Sequence, residues 1–237
     1  MILTASYSDI GGRRCNEDSV AIRTIGEDKA CVLVADGLGG HGGGDMASQA
    51  AARTIIGGWT GSSTPNSLTN LVQSAHRVIL SMQTPACKMK STVAVLLLEQ
   101  GRMDWAHVGD TRLYHFIDGS IVYQTQDHSA SQIAVALGQI TPEEIRFHED
   151  RSKIFRALGT EGGITVDTGE KTLTPGKHAF LLCSDGFWEY VYEREMERTL
   201  QEAETPQDWL DAMRVLLRSR IPEDNDNNTA AAVWLTV

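Results

Sequence analysis

Residues 32–48 read VLVADGLGGHGGGDMAS. The apolar run Val32-Leu33-Val34-Ala35 ends in Asp36, and six glycines follow within eight residues, at 37, 39, 40, 42, 43 and 44. A short apolar run bounded by turn residues suits a strand buried in a sheet. The carboxylate at its tip, followed by backbone almost without side chains, marks a place that needs charge and tolerates no bulk. Gly37, Gly39 and Gly42 match the dinucleotide pattern G-x-G-x-x-G between a strand and a helix. That pattern expects an acid about 20 residues further on, where this chain reads GWTGSSTPNS. Asp36 would also repel a pyrophosphate, and no Lys-Ser/Thr follows to make a P-loop. The glycines therefore serve something other than a nucleotide phosphate.

With 237 residues, 41% hydrophobic and 22% charged, the chain has the composition of a globular protein with room for a sizeable core. The net charge of -10 argues against nucleic acid as a ligand, because no basic stripe is present to neutralise phosphates. The acidity serves solubility, or some of these acids hold cations. The longest fully apolar runs, Val93 to Leu98 among them, are too short to span a membrane. The N-terminus, MILTASYSDIGGRR, lacks the basic and apolar segments of a signal peptide. Cys15, Cys31, Cys87 and Cys183 form no C-x-x-C pair. A reducing, cytoplasmic setting fits them best.

Periodicity predicts strands at Ile2–Ser8, Ser19–Thr24 and Ala30–Ala35, then helices from Asp45 to Trp59 and from Ser67 to Met82. Four short runs, Ser91–Leu98, Arg102–Val108, Arg112–Ile117 and Ser120–Thr125, read as an antiparallel meander. Helical pieces follow at Ala130–Leu137 and Pro142–Ile145, and strands at Ile164–Leu173 and Ala179–Cys183. Two helices, Arg194–Ala203 and Pro206–Arg218, precede a last strand, Thr229–Val237. Strand clusters alternate with helix pairs and no long linker intervenes. The expected fold is α+β, a helix-covered and mostly antiparallel pair of sheets in a single domain, 1–237.

The placement of Asp36 recurs. Asp185 follows the strand in LLCSDGF, Asp110 ends one in AHVGDTR, Asp224 and Asp226 precede the last strand, and Glu17 and Asp18 open another. A single Asp-Gly is usually a turn residue; five such placements ask for a common cause. Converging carboxylates cannot all ionise without a counter-charge. Hard divalent cations, Mg²⁺ or Mn²⁺, supply one. No H-E-x-x-H, H-x-H or C-x-x-C is present, which points away from zinc, and no G-x-S-x-G suggests a serine hydrolase.

Together RRCNEDS, VADGLGGHGGGDMAS, STVAVLLL, AHVGDTRLY, DHSASQ, GQITPEEI, RALG, LLCSDGFWEYV and DNNTAAAV span the chain. In this order they resemble the bacterial metal-dependent serine/threonine protein phosphatases of the PPM family. The resemblance implies a four-layer α/β/β/α sandwich, with two central antiparallel sheets flanked by helix pairs. It implies hydrolysis of phosphoserine and phosphothreonine with Mn²⁺ or Mg²⁺ at two tight sites and a weaker third. Asp36 would bridge two metals; Glu17 and the Gly37 carbonyl would serve one, Asp185 and Asp226 the other. Asp226 is preferred to Asp224 because Asp226-Asn227-Asn228-Thr229 fits the family's Asp-Asn-x-Thr pattern. Asp18 would orient a water on the metals, Asp110 would help hold the third metal, and Arg13 would bind phosphate, with Arg14 as its decoy. Some relatives carry a histidine directly after Asp-Gly as general acid. Here that position is Leu38, which leaves a metal-bound water or His41.

The partners implied are phosphorylated proteins, a Ser/Thr kinase and its substrates; a monomer without nucleic acid or membrane is expected. Residues 129–149 are expected to form a flap that selects protein substrates. The competing reading is a non-catalytic phosphoprotein-binding or partner-switching module on the same fold.

Overall fold

The computed structural model describes residues 1–39, 42–61 and 65–237, apart from the side chains of residues 65 and 66. His41 lies outside the described residues.

In chain order the strands are β1 (Leu3–Asp9), β2 (Asp18–Ile25), β3 (Lys29–Leu38), β4 (Lys90–Ser91), β5 (Val93–Glu99) and β6 (Arg102–Val108). Then come β7 (Arg112–Ile117), β8 (Ser120–Gln124), β9 (Asp167–Thr172), β10 (Lys177–Cys183) and β11 (Asn228–Thr236). The helices are α1 (Gly44–Gly58), α2 (Pro65–Met82), α3 (Ala130–Ala136), α4 (Asp185–Trp188), α5 (Glu193–Glu202) and α6 (Pro206–Arg218), with a 3₁₀ turn at Pro142–Phe147. One sheet runs β1-β11-β10-β7-β8 and the other β2-β3-β5-β6-β9, with β4 on the end of β3. The pairings are antiparallel.

The alternation of side chains along β3 explains the layering. Ala30, Val32 and Val34 meet Phe180, Leu182, Ala231 and Val233 of the other sheet. Cys31, Leu33 and Ala35 face the opposite way, onto Ala47, Ala51 and Ile55 of α1 and Val72 and Ile79 of α2. Successive side chains of a strand point to opposite faces, so a strand covered on both faces must be apolar throughout. The second sheet repeats this. Leu181, Cys183, Ala230 and Ala232 pack under Met196 of α5 and Trp209, Met213 and Leu217 of α6. Truncating a buried aromatic such as Trp209 costs about 3–5 kcal/mol. The observed architecture is the four-layer α/β/β/α sandwich.

Two elements differ from the sequence expectation. The four runs from Ser91 to Thr125 are not one meander. β5 and β6 pair in one sheet, β7 and β8 in the other, and the chain crosses between them at Gly109–Asp110. Hydropathy could not show this, because both sheets are buried on the faces concerned. The strand expected from Ile164 begins at Asp167, opposite His107. Ile164 and Val166 instead pack on the helix-side core.

At the crossing, Arg112 and Asp127 form a buried bidentate pair, with bonds of 2.9 and 2.8 Å and both side chains 2% exposed. The Arg112 guanidinium lies over Trp188, 3.5 Å from the ring centroid, and Trp188 Nε1 donates to the Asp110 carbonyl at 3.0 Å. Removing one partner of a buried pair leaves a charge without compensation. Asp127→Asn should therefore cost about 3–5 kcal/mol by denaturant unfolding; a loss below about 1 kcal/mol, the size of an exposed pair, would contradict this reading.

Candidate metal centre

The functional side chains come from one end of both sheets. Asp18 opens β2 directly opposite Asp36 of β3. Asp185 follows β10, Asp226 precedes β11, and Asp110 sits in the crossing after β6. Arg13, Glu17, Asp36, Gly37, Asp110, Asp185 and Asp226 line one open cleft of about 530 Å³. Asp18 is 9% exposed and lies beside Asp36 rather than on the cleft wall. Arg14 also lines the cleft. Asp224 is exposed and lies outside it.

Short hydrogen bonds fix this end of the sandwich. Ser91 Oγ and the Thr92 amide donate to the Asp36 carbonyl at 2.9 and 2.8 Å. Ser184 Oγ donates to Asp18 Oδ2 at 2.7 Å and accepts from the Thr229 amide at 3.0 Å, tying the two sheets together. Asn227 holds the loop of Arg13 and Glu17. Its Nδ2 donates to the Ile10 and Cys15 carbonyls, and its Oδ1 accepts from the Glu17 amide at 2.8 Å.

Close approach accounts for two glycines. A Cβ on Gly37 would lie 2.1 Å from the Gly44 carbonyl oxygen, and one on Gly39 would lie 1.9 Å from Glu17 Oε2. The glycine run thus lets backbone cross backbone beneath the acids, besides keeping the mouth clear.

The electrostatics are those of a crowd of like charges. Burial, then repulsion from Asp18, Asp185, Asp110 and Asp226, raises the Asp36 carboxyl well above its usual range. Burial, then Asp110, Glu189, Asp226 and Asp18, does the same to Asp185. Burial pushes Asp110 up to about 7, helped by Asp127. Burial also pushes Asp18 up to about 6, against the hydrogen bonds from Ser184 and Thr229. Glu17 is raised by burial and then by Asp45 and Asp226. Carboxylates with carbonyl oxygen among them are the donor set of Mg²⁺ and Mn²⁺. The residues present fit such ions: a divalent cation would relieve the repulsion that otherwise holds protons on the cluster.

Glu189 was not anticipated from the sequence. It follows Asp185 by four residues, is held by Arg151 at 2.7 Å, and adds negative charge at both Asp110 and Asp185. Its i, i+4 spacing from Asp185 is the signal that could have found it.

Elsewhere the fold gathers His107, His128 and Asp167, with one donor atom from each within 4.8 Å of the others. A guanidinium already stands at this trio, with Arg156 Nη1 3.1 Å from His128 Nε2. The Gly109 amide donates to His128 Nδ1 at 3.0 Å, and His128 Nε2 lies 3.2 Å from Asp167 Oδ2. Arg156 supplies the positive charge, at 2.7 Å from Asp167 Oδ1. The trio braces the Gly109–Asp110 crossing.

A family profile described as Protein phosphatase 2C matches residues 7–224. The chain belongs to the protein phosphatase 2C family. A serine/threonine phosphatase stp of Listeria monocytogenes is 30% identical over 223 residues, covering 90% of this chain and 88% of the relative. The crystal structure of the Mycobacterium tuberculosis serine/threonine phosphatase PstP/Ppp superposes with a TM-score of 0.83 at 31% identity, covering 100% of this chain and 99% of that one. A PstP catalytic domain in complex with 2 manganese ions superposes at 0.79 with 29% identity, covering 98% and 97%. Protein phosphatase 2C enzymes are metal-dependent, in keeping with the donor set described above.

The raised carboxyls carry a pH consequence. A carboxyl with a folded pKa above its unfolded value stabilises the fold below about pH 4, and that contribution is lost as pH rises through the folded pKa. With chelator present, the stabilisation contributed by the cluster should therefore decline from about pH 4, the unfolded carboxyl value, through about 6 for Asp18 and about 7 for Asp110. Mn²⁺ should abolish the decline and release protons on binding. A gap between the Mn²⁺-loaded and metal-free melting temperatures that does not widen over that range would contradict the charge-crowding account.

Proposed function

We propose that this protein hydrolyses phosphoserine and phosphothreonine in proteins, at a centre of two tight cations and a weaker third, opposing a Ser/Thr kinase. The observation that carries this is Asp36: a buried carboxylate at a rigid strand tip, ringed by Asp18, Asp110, Asp185 and Asp226, with a guanidinium at the rim. Bound there, Mn²⁺ or Mg²⁺ supplies a water acidic enough to attack near neutral pH and offsets charge on the phosphoryl oxygens.

Asp36 would serve both tight cations, Glu17 and the Gly37 carbonyl one of them, and Asp185 and Asp226 the other. Asp18, held in place by Ser184, would orient the attacking water. Arg13, at the rim, takes the phosphoryl oxygens. Asp110, 4% exposed, helps hold the third cation. With Leu38 after Asp36-Gly37, no histidine stands there to protonate the leaving serine oxygen; that proton would come from water in the Asp110 corner or from His41. The global charge of -10 repels an anionic substrate, so local cations do this work.

The chain reads as one phosphatase domain with a flap at about 129–149. The flap region is clamped to the segment after Asp185. Arg146 donates to the Trp188 carbonyl at 2.6 Å and pairs with Glu193, and Arg151 pairs with Glu189. Ile133, Leu137 and Phe147 stay 50%, 67% and 71% exposed, apolar surface suited to a protein substrate. The four unpaired cysteines suit a cytoplasmic setting. Among the described residues no helix is long and apolar enough to cross a membrane. A purely binding module has no need of so costly a carboxylate set, and nothing at the site favours it.

The test is phosphate release from a phosphoprotein and from a small aryl phosphate, with Mn²⁺ and with excess chelator. Wild type should act on both substrates only with the metal. Asp36→Asn should lose activity and metal affinity more than Glu17→Gln, and Asp110→Ala should keep both tight cations while losing about 10²-fold in turnover. Phe147→Ala should slow the phosphoprotein alone. Full activity in chelator, or an unimpaired Asp36→Asn, would overturn the proposal.

A further inference from the structure

Arg13 does more than wait at the rim. Its Nε donates to Asp226 Oδ1 at 3.0 Å and its Nη2 to Oδ2 at 2.9 Å. Oδ1 also accepts from the Asn227 amide at 2.8 Å. The fork therefore engages both oxygens of an acid assigned to a cation, and Oδ1 already takes two donors. A cation at that carboxylate and the Arg13 fork compete for the same lone pairs.

The backbone lets one partner replace the other without unfolding. Asn227 Nδ2 binds the Ile10 and Cys15 carbonyls on either side of Arg13, so the loop holds while the side chain moves. The pair sits at the cleft rim, with side chains 55% and 46% exposed, where a guanidinium can swing cheaply. Arg14 lines the same cleft without an ion pair among the described residues, so the arrangement is particular to Arg13.

Resting on the assignment of Asp226 to a cation, we propose that the Arg13–Asp226 pair is a latch that couples metal loading to phosphate capture. A cation that takes Asp226 frees the guanidinium to receive a phosphoryl group. While the latch is closed, Arg13 weakens both metal binding and phosphate binding. The two ligands should then bind cooperatively, each raising the affinity of the other by the same factor.

The experiment is calorimetric titration of Mn²⁺ into chelator-treated, desalted protein, with and without inorganic phosphate. Without phosphate, Arg13→Ala should tighten Mn²⁺ about two- to fivefold, the range of an exposed ion pair. Arg13→Lys should also tighten it. It keeps the charge but lacks the planar fork, which separates the latch from simple repulsion between Arg13 and the cation. Phosphate should tighten Mn²⁺ more in wild type than in Arg13→Ala. If Arg13→Lys binds Mn²⁺ as wild type does, or Arg13→Ala binds it more weakly, the latch is excluded; the same holds if phosphate acts equally on both proteins. Asp226→Asn separates the two levels of failure. Unchanged Mn²⁺ affinity there would remove Asp226 from the metal centre and the latch with it. Weakened affinity there, with both Arg13 variants like wild type, would remove the latch alone.

Discussion

Repulsion among carboxylates is the constraint on which this molecule turns. Asp18 and Asp36 face one another across a strand pair, and Asp110, Asp185 and Asp226 close around them. Two like charges 4 Å apart repel by about 4 kcal/mol at an effective dielectric near 20. A hydrogen bond returns a net of about 1 kcal/mol, so the bond from Ser184 to Asp18 cannot balance the cluster. Protons or cations must, and the raised carboxyls record the protons' share of that competition.

The sandwich exists in a form that tolerates this strain. Three hydrophobic layers set the strands, and the acids occupy the strand ends, where the core no longer needs apolar side chains. The end itself is held by uncharged groups. Ser184 joins Asp18 to the Thr229 amide across the two sheets, and Asn227 pins the loop of Arg13 and Glu17 with three hydrogen bonds. Positive charge is spent away from the acids that would bind cations: Arg112 on Asp127, Arg146 on Glu193, Arg156 on Asp167. Arg13 is the exception: its fork holds both oxygens of Asp226, the contact on which the proposed latch rests.

Much of this could be read from local pattern. The alternation in β3 and the spacing in α1, α2 and α6 follow burial, and burial is what periodicity reports. The strand-end acids were legible for the same reason, since an apolar run that stops at Asp-Gly shows where the core stops. What was not legible depends on which distant segments meet. The crossing at Gly109–Asp110 divides an apparent meander between two sheets, and equal burial on both sides hides it. Glu189 lay in plain view four residues past Asp185, but only the short helix turns it toward Asp110. His107, His128 and Asp167 have no ligand spacing in the chain; β6 pairing with β9 sets His107 opposite Asp167, and bonds to Gly109 bring in His128. The Arg13–Asp226 pair spans 213 residues and leaves no local trace.

The central claim is that the acid cluster is a cation centre organised by Asp36. Anomalous diffraction at the manganese edge, from crystals grown with Mn²⁺, tests it most directly. The account predicts two strong peaks flanking the Asp36 carboxylate, one toward Glu17 and the other toward Asp185 and Asp226, with a weaker third near Asp110. A single peak, or peaks that leave Asp36 without a cation, would contradict it.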